Sequence, residues 1–68
     1  MIYGTPEHAR WEHDLRNAVN AALTAANVVR MLLEKGESQR AIPFVIDIQD
    51  ACERCRMLFL EAPTDQAN

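Results

Sequence analysis

The chain has 68 residues, room for one domain at most, and a domain of this size buries only about 60% of the surface its unfolded chain exposes. Ten acidic and seven basic side chains are interspersed, for a net charge of −3, which argues against a phosphate-backbone footprint and so against a nucleic-acid partner. Two cysteines are too few for a disulfide scaffold, and no apolar run nears the roughly 20 residues a bilayer span needs. The first residues lack the charged and apolar regions of a signal peptide, so the expected compartment is a reducing cytoplasm, with no membrane contact. Hydrophobic residues make up 49% of the chain, with few aromatics and many alanines, a composition of close-packed helices rather than strands.

The first element opens at Thr5-Pro6-Glu7. Thr5 can cap a helix, Pro6 suits its first position, and Glu7 meets the positive end of the dipole. No glycine or proline follows until Gly36, so helix 1 is predicted from about Pro6 to Lys35, some 45 Å at about 1.5 Å per residue. Gly36 is a natural left-handed terminator. Trp11, Leu15, Ala18, Ala22, Ala25, Val29 and Leu32 recur at alternating steps of four and three, a strict heptad seam. Val19, Ala26 and Leu33 widen it on one side, Ala21 and Val28 on the other.

Glu37 to Ile42 reads as a short connection, with Pro43 in the first turn of helix 2. A start at Ser38, with Pro43 inside the helix, is the other option the residues allow. Helix 2 is predicted from about residue 43 to Glu61, before Pro63, and a polar, frayed tail closes the chain to Asn68. Its expected seam is Val45, Ile48, Cys52, Cys55 and Phe59, flanked by Phe44, Ala51 and Leu58. Asp47 and Asp50 would then favour the dipole of a helix starting at Pro43.

The predicted fold is all-α: one antiparallel helical hairpin over residues 1–68. A single hairpin cannot cover two wide apolar stripes. Two hairpins in a homodimeric four-helix bundle can, and a two-fold dimer is the commonest symmetric solution. Ala18, Ala22, Ala25 and Ala26 should allow close backbone approach in its middle.

One stretch is not explained by packing. In His13-Asp14-Leu15-Arg16-Asn17 only Leu15 belongs to the seam, and His13 falls at the heptad position farthest from it. Arg16 and Asn17 lie three and four residues on, beside the imidazole, and Asp14 is adjacent in sequence. This set suits phosphoryl transfer. A neutral imidazole nitrogen attacks phosphorus, a carboxylate orients the ring or takes its proton, and a cation offsets the phosphoryl charge. An amide one turn on can position a water. A plain surface histidine on a solvated helix face is the competing reading of the same spacing.

His13-Asp14-Leu15-Arg16-Asn17, with the Ala18-Val19-Asn20-Ala21-Ala22-Leu23 that follows, resembles the H-box of sensor histidine kinases. That box typically reads His-Glu/Asp-Leu-Arg/Lys-Thr/Asn-Pro-Leu. It lies on the first helix of the dimerisation and histidine-phosphotransfer domain, a hairpin that dimerises into a four-helix bundle. The similarity runs from Ala9 to about Leu60 and is sharp at the first five motif positions. It implies that His13 is the phosphoacceptor, Asp14 the assisting acid, Asn17 the residue that orients water, and Arg16 the basic position of the box. It also implies a receiver domain of a response regulator, or a sensor kinase, as partner. Ala18 stands where the box has proline, so the bend that proline gives helix 1 is not expected. Gly4 and Gly36 are the only glycines and form no nucleotide-binding motif, so the expectation is a module that relays phosphoryl groups without ATP-dependent autokinase activity. The alternative is a non-catalytic hairpin dimer that acts as adaptor or inhibitor of such kinases by mimicry. An RNA-binding hairpin would need a basic stripe on helix 1, where only Arg10, Arg16 and Arg30 are available.

Cys52-Glu53-Arg54-Cys55 is half of a zinc site at best, and both thiols fall on the expected seam, so they read as core residues with no metal. No cofactor is expected. Trp11 reads as packing near the open end of the hairpin, Arg54, Arg56, Glu53 and Glu61 as an ion-paired solvated face, and Met57 as an exposed apolar contact.

Overall fold

The computed structural model describes residues 6–63 of the chain. Two helices, α1 (Pro6–Glu34) and α2 (Ser38–Leu60), pack against each other as a hairpin. Thr5 and the tail from Thr64 lie outside the described residues.

The turn is built by backbone alone. Gly36 has φ +77°, its N–H donates to the Leu33 carbonyl at 3.0 Å, and the Glu37 N–H donates to the Leu32 carbonyl at 2.8 Å. This pair of bonds is a Schellman motif, which satisfies the last carbonyls of α1 and reverses the chain in three residues. α2 begins at once. Glu37 is its N-cap and makes no side-chain capping bond; its carbonyl accepts the Arg40 N–H at 3.1 Å and its carboxylate the Arg40 guanidinium at 3.0 Å. The start expected near Pro43 is therefore moved to Ser38, the earlier of the two starts the residues allow. Pro43 lies inside α2, where it has no N–H to donate to Gln39.

The α1 seam faces α2 along its whole length. Ala18 and Ala25 are buried, and Trp11, Leu15, Ala22, Val29 and Leu32 are half-buried. The α2 seam differs from the expected one. Ala41, Phe44, Ile48, Ala51, Cys55 and Leu58 turn inward, and Val45, Cys52 and Phe59 are exposed. Ile48 and Cys55 keep the seam positions expected of them, and Phe44, Ala51 and Leu58, expected to flank the seam, join them in place of Val45, Cys52 and Phe59. Ala41 and Ala51 offer the close approach that Ala18 and Ala25 offer from α1, and Phe44, Ile48 and Leu58 fill the seam between them. Cys52 is thus not a core thiol, and Cys55 is only partly covered. Every fully buried side chain among the described residues is an alanine.

The open end is closed by Trp11, whose indole Nε1–H donates to the Leu58 carbonyl at 2.7 Å across the two helices. The ring also lies against His8, with centroids 5.6 Å apart and planes tilted by 43°. The Leu58 carbonyl belongs to the last turn of α2, where it accepts the Glu61 N–H three residues on and has a lone pair left for the indole, so the bond ties helix end to helix start.

Three substitutions test this account by chemical denaturation followed by circular dichroism at one fixed protein concentration. Gly36→Ala meets no atom within 4 Å, so its cost is backbone strain alone, about 1 kcal/mol. Pro43→Ala restores a helical hydrogen bond and stabilises by roughly 1–2 kcal/mol, the interior-proline penalty of about 3 kcal/mol less the freedom returned to the unfolded chain. Trp11→Phe keeps the ring and loses one hydrogen bond, costing about 1 kcal/mol, because the Glu61 N–H still donates to the same carbonyl at 3.1 Å.

Candidate functional site

α1 has no helix breaker between Pro6 and Glu34, so His13 sits in mid-helix with its Cα direction set by the seam on the opposite side. Its side chain is 72% exposed. Leu15, two residues on, is drawn inward toward α2, and that anchors the rotation of the helix.

The Asp14 carboxylate lies 3.9 Å from His13 Nδ1. That is close enough to act on the imidazole electrostatically and too long for a hydrogen bond. Arg16 does not turn to the imidazole. It donates to the Glu12 carboxylate at 3.3 Å, an exposed pair four residues apart. Asn17 lies toward α2, where it lines a groove with Asn20 and Thr24 of α1 and Asp47, Asp50 and Arg54 of α2. The floor of this groove is apolar, with Ala21, Val28 and Phe44 among its residues, and its volume is about 600 Å³. The structure thus brings His13 and Asp14 together, leaves Arg16 one turn away on Glu12, and turns Asn17 toward the groove rim.

Two parts of this arrangement were missed from the residues alone. The Glu12–Arg16 pair carries its own signal, an acid four residues before a base. The groove has no local signal, because its rim comes from both helices. Asp47 and Asp50 were assigned to the dipole of a helix starting at Pro43. With the start at Ser38 they lie beyond the first turn, outside the reach of the dipole, and stand instead on the groove rim.

The ion-paired face expected on α2 is narrower than predicted. Arg56 binds Glu53 through two nitrogens, at 3.3 and 2.7 Å, and that contact holds the Glu53 carboxyl below its ordinary range and raises the Arg56 guanidinium. Both groups are fully exposed, so the shift reports a local contact and not a buried charge. Arg54 makes no ion pair among the described residues and stands on the groove.

Cys52 and Cys55 are free thiols three residues apart on α2, the first exposed and the second half-covered. No group of three or more histidine, cysteine or acidic side chains able to hold a metal ion occurs among the described residues. No described helix is long and apolar enough to cross a membrane. Compared with known proteins, the chain matches no family model, no curated protein and no solved structure.

Proposed function

We propose that this chain is a histidine phosphotransfer module that passes phosphoryl groups to or from the receiver domain of a response regulator. The observation that carries the reading is the His13 imidazole, mostly solvent-exposed on the outer ridge of α1, with one carboxylate 3.9 Å from its Nδ1. Asp14 favours the tautomer with the proton on Nδ1, which leaves the lone pair on Nε2, the nitrogen facing away from it. In the transfer, Nε2 attacks the phosphorus of an aspartyl phosphate on the receiver. A P–N bond forms, the bond between phosphorus and the aspartate oxygen breaks, and the electron pair leaves with the restored carboxylate. Asp14 offsets the charge that develops on the imidazole ring and takes up its Nδ1 proton or passes it to water.

Arg16 enters by releasing Glu12. An exposed pair four residues apart is worth about 0.3–0.5 kcal/mol, so a dianionic phosphoryl group competes for the guanidinium at little cost. Asn17, one turn from His13 and directed to the groove, is placed to hold a water for hydrolysis of the partner's phospho-aspartate. In this reading the module works as a homodimer, two hairpins forming one four-helix bundle. Support comes from the all-alanine core, too thin for a hairpin of this length to stand alone, and from the large apolar side chains it leaves outside.

The test is transfer of labelled phosphoryl from a phosphorylated receiver domain, or from a sensor kinase supplied with ATP. Acid-labile label is expected on the wild-type chain and none on His13→Gln, with Asp14→Asn slowing transfer roughly 10-fold or more. Undiminished label on His13→Gln, or none on the wild type with any receiver tested, overturns the proposal. Tight binding to a kinase hairpin without label identifies the chain as a non-catalytic mimic.

A further inference from the structure

The sequence gives no work to Cys52 and Cys55 beyond packing, and the fold withdraws even that from the first of them. Cys52 is exposed, Cys55 is half-covered, and both are free thiols. They stand three residues apart on an unbroken stretch of α2, so they are neighbours on one face, with Cα atoms about 5 Å apart and Cβ atoms about 5–6 Å apart. Leu58, three residues beyond Cys55, is bonded to Trp11 of α1. Two helices of equal rise then bring the two thiols level with the stretch from Asp14 to Asn17.

We infer that Cys52 and Cys55 form a two-thiolate binding site for a soft monovalent cation, copper(I). The inference does not rest on the phosphotransfer reading. Three observations select this occupant. The first is spacing. A disulfide needs Cβ atoms about 3.5–4.5 Å apart and sulfurs about 2.05 Å apart, so closing one would distort a helix held at this level by Ala51 and Leu58 in the seam. A bridging ion with metal–sulfur bonds of about 2.3 Å, the zinc value, lets the sulfurs stand up to about 4.6 Å apart and leaves the helix as it is. The second is ligand number. Zinc takes four ligands, and no group of three or more histidine, cysteine or acidic side chains gathers among the described residues. Copper(I) is served by two thiolates, and thiolate softness selects it over harder ions. The third is charge. Two thiolates on a monovalent ion leave one negative charge. Glu53 is already held by Arg56, and Arg54, which makes no ion pair among the described residues, supplies the offsetting cation one residue from Cys55. In binding, each thiol gives its proton to water and each sulfur donates an electron pair to the ion. Two S–Cu bonds form, the copper stays monovalent, and the small thiols that carried it are released.

The experiment is anaerobic titration of the reduced protein against the coloured copper(I)–bicinchoninate complex, with helix content followed by circular dichroism. The wild type is expected to withdraw one equivalent of copper(I) per chain without loss of helix. Removing an outer-shell partner of a metal ligand costs about 10–100-fold in affinity, so losing a ligand, in Cys52→Ser or Cys55→Ser, is expected to cost at least about 100-fold. Cys55→Ser combined with Met57→Cys keeps two thiols but turns one to another face of α2, and is expected not to restore binding. Excess zinc(II) is expected not to displace the copper. No withdrawal by the wild type overturns the inference, as does a single-serine variant that binds like the wild type. Restoration by Met57→Cys shows that thiol count and not helical spacing governs binding, and overturns it too. Half an equivalent per chain places the ion between two chains, and displacement by zinc adds ligands the two-thiolate site lacks; either result overturns the site on one helix. Transfer of labelled phosphoryl is scored separately and bears on none of these outcomes.

Discussion

The hairpin depends on four small side chains spaced along the seam between its helices. Ala18 and Ala25 of α1 and Ala41 and Ala51 of α2 are its buried side chains, and their small size lets two long helices run close together. Close approach brings a consequence for the larger residues. Leu15, Val29, Leu32, Phe44, Ile48 and Leu58 share that seam and are only half-covered. The hairpin gains good backbone proximity and little buried apolar mass. The ion pairs do not make up the difference. Among the described residues all five are exposed, and each joins neighbours three or four residues apart or adjacent in sequence, so none of them bridges α1 to α2.

What bridges the helices besides the seam is one hydrogen bond at each extreme of the fold's logic. At the turn, the left-handed Gly36 and the Leu32–Glu37 bond set where α2 starts. At the open end, the Trp11 indole on the Leu58 carbonyl sets how far α2 has run back along α1. Between them the register is fixed, and with it the pairing of Asn17, Asn20 and Thr24 with Asp47, Asp50 and Arg54 across the groove. His13 is two residues from Trp11. Its height on the hairpin and its outward direction therefore follow from the Trp11 clamp and the Leu15 anchor, and not from any contact of its own.

This explains which features could be read from the residues. α1 carries an unbroken heptad line from Trp11 to Leu32 with flanking apolar residues on both sides, so the centre of its stripe is legible and the outward position of His13 follows. α2 carries apolar residues on two adjacent lines: Phe44 and Val45, Ala51 and Cys52, Leu58 and Phe59. Periodicity cannot choose between lines one residue apart. The choice is made only when the helices meet, where Ala41 and Ala51 of α2 become buried. Pro43 posed a similar problem, because its missing N–H is equally absent from a first turn and from a sixth position that tolerates the loss. The Schellman geometry at Gly36 decides it, by delivering the chain directly into a helix at Ser38. The groove was beyond reach for the same reason as the seam: its rim exists only once the two helices are in register.

The same narrowing that thins the core makes the hairpin two-sided. The large apolar residues outside the seam are not distributed evenly, because the residues before and after it differ in kind. The positions before it carry Asp14, Ala21, Val28, Asp47 and Arg54, and the positions after it carry Val19, Ala26, Leu33, Val45, Cys52 and Phe59. One side is therefore wettable and the other is not. A wettable groove beside an exposed imidazole suits brief encounters, since polar rims are released as readily as they are engaged. A long apolar side suits a lasting contact, since its exposure to water is unfavourable whenever the contact opens. The two kinds of surface differ in how long a contact on each would last. In this hairpin an alanine seam separates them by the width of a single helix.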